Sequence, residues 1–268
     1  MTRSSQNLRS VACAGLTAAA LAVTASPGAM AATHDIEIQR LIAAWENPEG
    51  TAPPGANPPA IDEPCEKGPV NIHWSTLVPN LSDIHTGFSI TPAPGVALNA
   101  GETGVLANLL MLNGTISSFG YLLERVELAL QIEGHANGPV NQPLHMPLRF
   151  LLTYEDTPND PRLCPDWHTG DRPCDDRATV TLLDDGHMTL AGDATSYTFE
   201  VLGFAQDGEI RSSFILPEES TTELQLMARL SRSDQPVPAI PLPPGLALLA
   251  SGLGLLAWLR RRRGQALS

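Results

Sequence analysis

From Val70 onward the chain alternates apolar and polar residues at a period of two. Val126, Leu128, Leu130 and Ile132 are interleaved with Glu127, Ala129, Gln131 and Glu133, which gives a strand with one buried and one wet face. Leu148, Phe150, Leu152 and Tyr154 repeat the pattern, as do Tyr197, Phe199 and Val201, and Leu224, Leu226, Ala228 and Leu230. Shorter candidate strands are Val70 to Trp74, Thr86 to Ile90, Val105 to Leu112, Ala178 to Leu183, His187 to Leu190 and Ile210 to Leu216. Turns such as Asp184-Asp185-Gly186 and Gln206-Asp207-Gly208 separate them. About ten short strands in this length predict an all-β fold, a single antiparallel β-sandwich of jelly-roll-like type over residues 70–232. Upstream the period changes. Ile38, Leu41, Ile42 and Trp45 are spaced for one face of a short amphipathic helix, and residues 46–69 carry seven prolines. Residues 32–69 are therefore expected to form a short helix and a Pro/Gly-rich linker outside the core.

The two ends follow other patterns. Arg3 and Arg9 precede an apolar stretch from Val11 to Val23 and the small-residue site Ala29-Met30-Ala31, the layout of a signal peptide over residues 1–31. At the other end, Ile240-Pro241-Leu242-Pro243-Pro244 is followed by a charge-free apolar run from Leu246 to Leu259 and then by Arg260, Arg261, Arg262 and Arg263. Fourteen residues fall short of the roughly 20 needed to cross a hydrocarbon core of about 30 Å. The four arginines favour the cytoplasmic side. Everything before the prolines is expected to lie outside the cytoplasm.

Composition sharpens this. Between residues 32 and 240 ten Lys and Arg face twenty-nine Asp and Glu, a formal charge of −19. Such an acidic surface argues against nucleic acid as a partner. Three cysteines remain after the leader. Cys164 and Cys174 share one Pro- and Asp-rich loop and are the natural pair in an oxidising compartment. The state of Cys65 is left open as a lone thiol, a buried one or an intermolecular partner.

The order of Pro motif, minimal span and Arg cluster over residues 233–268 resembles the PEP-CTERM sorting signals of Gram-negative bacteria, in the VPLPA-type variant. The resemblance implies a transient stay in the inner membrane on a short transmembrane helix. It also implies cutting by an exosortase-type membrane enzyme and delivery to the cell surface or outside the cell. The logic parallels a signal whose hydrophobic tail is discarded. A second resemblance lies inside the domain. Glu155, Thr157, Asn159, Cys164, Pro173, Cys174, Asp175 and Asp176 look like the THxN family of PEP-CTERM proteins, whose biochemical activity is not known. Where that family has Thr-His-x-Asn, this chain reads Leu110-Met111-Leu112-Asn113, so Asn113 alone matches.

Read by chemistry alone, the carboxylates crowd one loop. Asp160, Asp171, Asp175 and Asp176 are candidate calcium ligands, because hard oxygens held close suit that ion. Hydrated acids capping turns are the plainer reading, and no cofactor is expected. Adjacent Glu155 and Asp156 point to opposite faces of a strand and do not form a glycosidase dyad. The histidines lack zinc-ligand spacing, and no nucleophile elbow is present. Trp45, Trp74 and Trp167 are candidates for a sugar-stacking platform or for packing. The sequence thus leads to an exported, surface- or matrix-associated β-sandwich with a structural or binding role and no catalytic residue. The alternative is an extracellular carbohydrate-binding or glycoside-hydrolase-like module, with extracellular polysaccharide as the partner class.

Overall fold

A computed structural model describes residues 34–54, 56–65, 68–74, 85–114, 120–157, 162–168, 174–192 and 194–234. The signal peptide, Ile240 to Pro244, Arg260 to Arg263, Asn159, Asp160, Asp171 and Pro173 lie outside the described residues.

Among the described residues the chain is all-β and contains no helix. The strands are β1 (Ile36–Thr51), β2 (Ala60–Ile61), β3 (Val70–His73), β4 (Gly87–Pro92), β5 (Val96–Leu98), β6 (Thr103–Asn113) and β7 (Leu122–Ala136). They continue with β8 (Gln142–Glu155), β9 (Asp176–Leu182), β10 (His187–Ala191), β11 (Thr195–Gln206), β12 (Glu209–Ile210), β13 (Ser213–Leu216) and β14 (Ser220–Asp234). They form two antiparallel sheets in a sandwich-like arrangement. One runs β13-β9-β8-β7-β1-β5. The other runs β10-β11-β14-β6-β4-β3-β2, with β12 hairpinned onto β11.

The alternating segments become strands because their apolar face meets the opposite sheet. Val126, Leu128, Leu130 and Ile132 of β7 are buried, as are Leu148, Phe150 and Leu152 of β8. Opposite them, β11 contributes Tyr197, Phe199 and Phe204, and β14 contributes Leu224, Leu226 and Leu230. Phe150 and Phe204 meet edge to face at 5.3 Å. Each such side chain contributes about 1.5–3 kcal/mol on leaving water. Turn chemistry agrees: Asp207 and Gly208 both take positive φ, 53° and 79°, as a tight two-residue hairpin demands.

Residues 32–69 correct the sequence reading. The predicted helix is the long strand β1, paired with β7 from Ile36↔Ala136 to Thr51↔Leu122. The register slips between Ile38 and Arg40, so one extra residue, Gln39, is inserted. A bulge of this kind resets the alternation. The buried positions become Ile36 and Ile38, then Leu41, Ala43 and Trp45, and the three-residue step from Ile38 to Leu41 imitates helical spacing. The linker is partly strand as well. β1 reaches Thr51 through further register shifts beyond Glu46, with Asn47 at φ 50°. Cys65 forms an isolated bridge with Ala43 and is a buried thiol.

Candidate functional site

Four strand ends converge at one end of the sandwich. Asn113 closes β6, Tyr154 and Glu155 close β8, Asp176 opens β9 and Leu216 closes β13. Pairing enforces the convergence: Glu155 lies opposite Arg177, Leu216 opposite Asp176, and Ser220 of β14 opposite Asn113. Because β6 belongs to one sheet and β8, β9 and β13 to the other, side chains meeting here tie the sheets together.

They do so through hydrogen bonds away from water. Asn113, Tyr154, Thr157 and Asp176 are all buried. Asn113 donates from Nδ2 to the Leu216 carbonyl at 2.9 Å. The Tyr154 hydroxyl lies 2.9 Å from Asn113 Oδ1 and is hydrogen-bonded to Asp176 Oδ2. Asp176 Oδ1 accepts from the Thr157 amide at 2.8 Å and faces the Thr157 hydroxyl at 3.0 Å. That hydroxyl also lies 3.0 Å from the Asp175 carbonyl. Trp74 stands edge-on to Tyr154 at 5.2 Å and to Phe88 at 5.0 Å, so the hydroxyl points from an aromatic wall into the polar cluster.

Burial dominates the electrostatics. It pushes the Asp176 carboxyl above its ordinary range, although hydrogen bonds from Tyr154, Thr157 and Asn113 pull the other way. Burial first, then the Asp176 charge, raises the Tyr154 hydroxyl well above its usual value. Asp156 is pushed up to about 7 by desolvation, then by Asp176 and by Glu218. By area Asp156 is an exposed residue, so its carboxyl sits at the rim, and water damps the push it receives.

The disulfide predicted from the sequence is present. Cys164 and Cys174 are bonded with Cα atoms 5.3 Å apart, and Cys174 is fully buried beside Asp175 and Asp176. His168 Nδ1, inside the bridged loop, lies 3.0 Å from the Asp175 amide and 3.1 Å from its carboxyl. On the outer side Arg177 pairs with Glu155, with Nε to Oε2 at 3.0 Å, and covers the Trp167 ring at 5.0 Å.

Of the predicted motif residues, Asn113, Glu155, Cys174, Asp175 and Asp176 are brought together, with Thr157 among them. Asp176 has both oxygens engaged by Tyr154 and Thr157, and Asp175 faces His168. These two calcium candidates are therefore committed to protein partners, and no metal-binding group occurs among the described residues. The tryptophans do not form a platform: Trp45 is buried with Nε1 bonded to the Val70 carbonyl at 2.8 Å, Trp74 is core, and Arg177 covers Trp167. Sequence reasoning missed Tyr154 as a site residue, because its ring completes an apolar alternation that hides the hydroxyl. It also missed Glu218, which lies in a turn remote in sequence.

A cavity of about 220 Å³ lies elsewhere, lined by residues including Phe150, Val180, Phe204, Ile210 and the charged Arg211. It holds none of the cluster's carboxylates. No protein-family model matches this chain, and no curated protein matches it.

Proposed function

We propose that this chain is an exported β-sandwich, jelly-roll-like in its repeated crossing between sheets, with a structural or binding role at the cell surface or in the extracellular matrix. In this reading residues 1–31 direct export. The span from Leu246 to Leu259 holds the protein briefly in the inner membrane, with Arg260 to Arg263 on the cytoplasmic side. An exosortase-type enzyme then cuts near Ile240 to Pro244, as in the VPLPA-type PEP-CTERM proteins that the tail resembles.

The observation that carries the export reading is the Cys164–Cys174 bond, since such bonds persist in oxidising compartments outside the cytoplasm. A structural or binding role is supported by how the motif residues are used. Asn113, Thr157 and Asp176 spend their polar atoms on one another and on the backbone, which builds a joint between sheets. A glycoside hydrolase would need two accessible carboxyls facing one cleft, whereas Asp176 is enclosed and Glu155 is held by Arg177.

Replacing Arg260, Arg261, Arg262 and Arg263 with neutral residues tests the sorting step. Intact-mass and terminal-peptide mass spectrometry of the exported product should show wild-type chains ending near Pro244 and the variant largely uncut or mislocalised. A variant cut and delivered like the wild type, or wild-type protein kept in the membrane with Ser268 in place, would refute it.

A further inference from the structure

Asn113 fixes how the protons must lie in the joint. The Leu216 carbonyl can only accept, so the Asn113 amide nitrogen faces it, and Oδ1 must face Tyr154. That oxygen needs a donor, and the hydroxyl of Tyr154 is the one facing it. A tyrosine hydroxyl carries one hydrogen, so once it is given to Asn113 the contact between Tyr154 and Asp176 Oδ2 requires a proton on Asp176. The satisfied arrangement is a chain in which the Asp176 carboxylic acid donates to Tyr154, Tyr154 donates to Asn113, and Asn113 donates to Leu216. Asp176 Oδ1 meanwhile accepts from the Thr157 amide.

Removing the proton reverses one link. An ionised Asp176 draws the Tyr154 hydrogen to itself and leaves Asn113 Oδ1 without a donor at a position with no solvent exposure, which is costly for a buried polar atom. We propose that this end of the sandwich is a proton-operated latch: protonated Asp176 closes the joint between the two sheets and the disulfide-bridged segment, and loss of that proton loosens it.

Enclosure favours the neutral acid, against hydrogen bonds from Tyr154, Thr157 and Asn113 that favour the ion. From β8 come the Tyr154 hydroxyl and, just beyond it, the Asp156 carboxyl. Glu218, in the turn before β14, acts on Asp156 and Tyr154, and the neighbouring Asp175 carboxyl faces His168. From β6 comes the neutral Asn113, whose amide also hydrogen-bonds Asp176, and from β13 the Leu216 carbonyl. Arg177, next along β9, is turned to Glu155. Burial raises the Asp176 carboxyl, so its sense is fixed: a raised carboxyl stabilises the closed state fully at acid pH, and this stabilisation is lost as pH rises through the folded value.

The test is a pH titration of the full chain. Carbon-detected NMR of the Asp176 carboxyl should show it still protonated above the ordinary aspartate range. Exchange protection at the Thr157 amide, corrected for the intrinsic rate, should fall about tenfold or more across the same titration. Asp176→Asn keeps an acceptor for Thr157 and supplies a permanent donor to Tyr154, so its Thr157 protection should be high and independent of pH. Tyr154→Phe strands Asn113 at every pH and should give low protection throughout. An Asp176 carboxyl that titrates in the ordinary range overturns the proposal, and so does a fall in protection that persists unchanged in Asp176→Asn. Should that variant not fold, the carboxyl titration of the wild type decides alone.

Discussion

At the scale of single residues, Asp156 shows how a rim position differs from an enclosed one. Its carboxyl is pushed up to about 7, chiefly by desolvation, from an unfolded value of about 4. A raised carboxyl binds its proton more tightly when folded, so its stabilisation is complete below about pH 4 and drains away as pH climbs to about 7. Glu102 and Asp234 act in the opposite sense, because hydrogen bonds from Asn99 and from Arg232 hold them below the usual range. The whole-protein profile therefore mixes signs, and a difference measurement isolates one group. Asp156→Asn should match the wild type in urea midpoint near pH 4 and exceed it by pH 8. Midpoints that keep a constant offset across that range would show that Asp156 does not titrate as described.

Strands carry the next level of information, and they were unequally legible. The alternation in β7, β8, β11 and β14 points straight to the buried faces that the sheets use. β1 was hidden because a single inserted residue at Gln39 turned a period of two into an apparent helical period. β5 was missed because three residues, Val96 to Leu98, are too few to show any period. The disulfide was readable because its cysteines are close in sequence, whereas the Asn113–Tyr154–Asp176 joint was not. Asn113 comes from the sheet opposite that of Tyr154 and Asp176, so the three meet only when the two sheets pack face to face. The bulge in β1 has a checkable partner. Gly134 of β7 lies opposite Ile38, and a Cβ there would meet the Glu37 carbonyl oxygen at 2.4 Å and Ile38 Cα at 3.1 Å. Neither backbone atom can move without shifting the strand. Gly134→Ala should cost about 1–3 kcal/mol, read as a lower urea midpoint with unchanged slope, and a midpoint equal to wild type would mean that the two strands separate freely at the bulge.

On the scale of the whole molecule the charge is lopsided, and this sets its response to salt. The ten basic residues of the 32–240 segment stand against twenty-nine acids, and among the described residues seven arginines are already in surface pairs, such as Arg125 with Glu49 and Arg229 with Glu200. Each of those pairs has at least one exposed partner and contributes about 0–1 kcal/mol. The unpaired acids repel one another over distances comparable with the Debye length, about 30 Å at 0.01 M and about 8 Å at 0.15 M. Added salt thus weakens a few short attractions slightly and many longer repulsions substantially, and self-repulsion opposes the compact state. The thermal midpoint at pH 8 should rise when NaCl is raised from 0.01 to 0.15 M, a range in which salting-out is minor, and should change far less at pH 4, where many carboxylates are neutral. A midpoint that falls with salt at pH 8 would mean that the surface pairs outweigh the net charge.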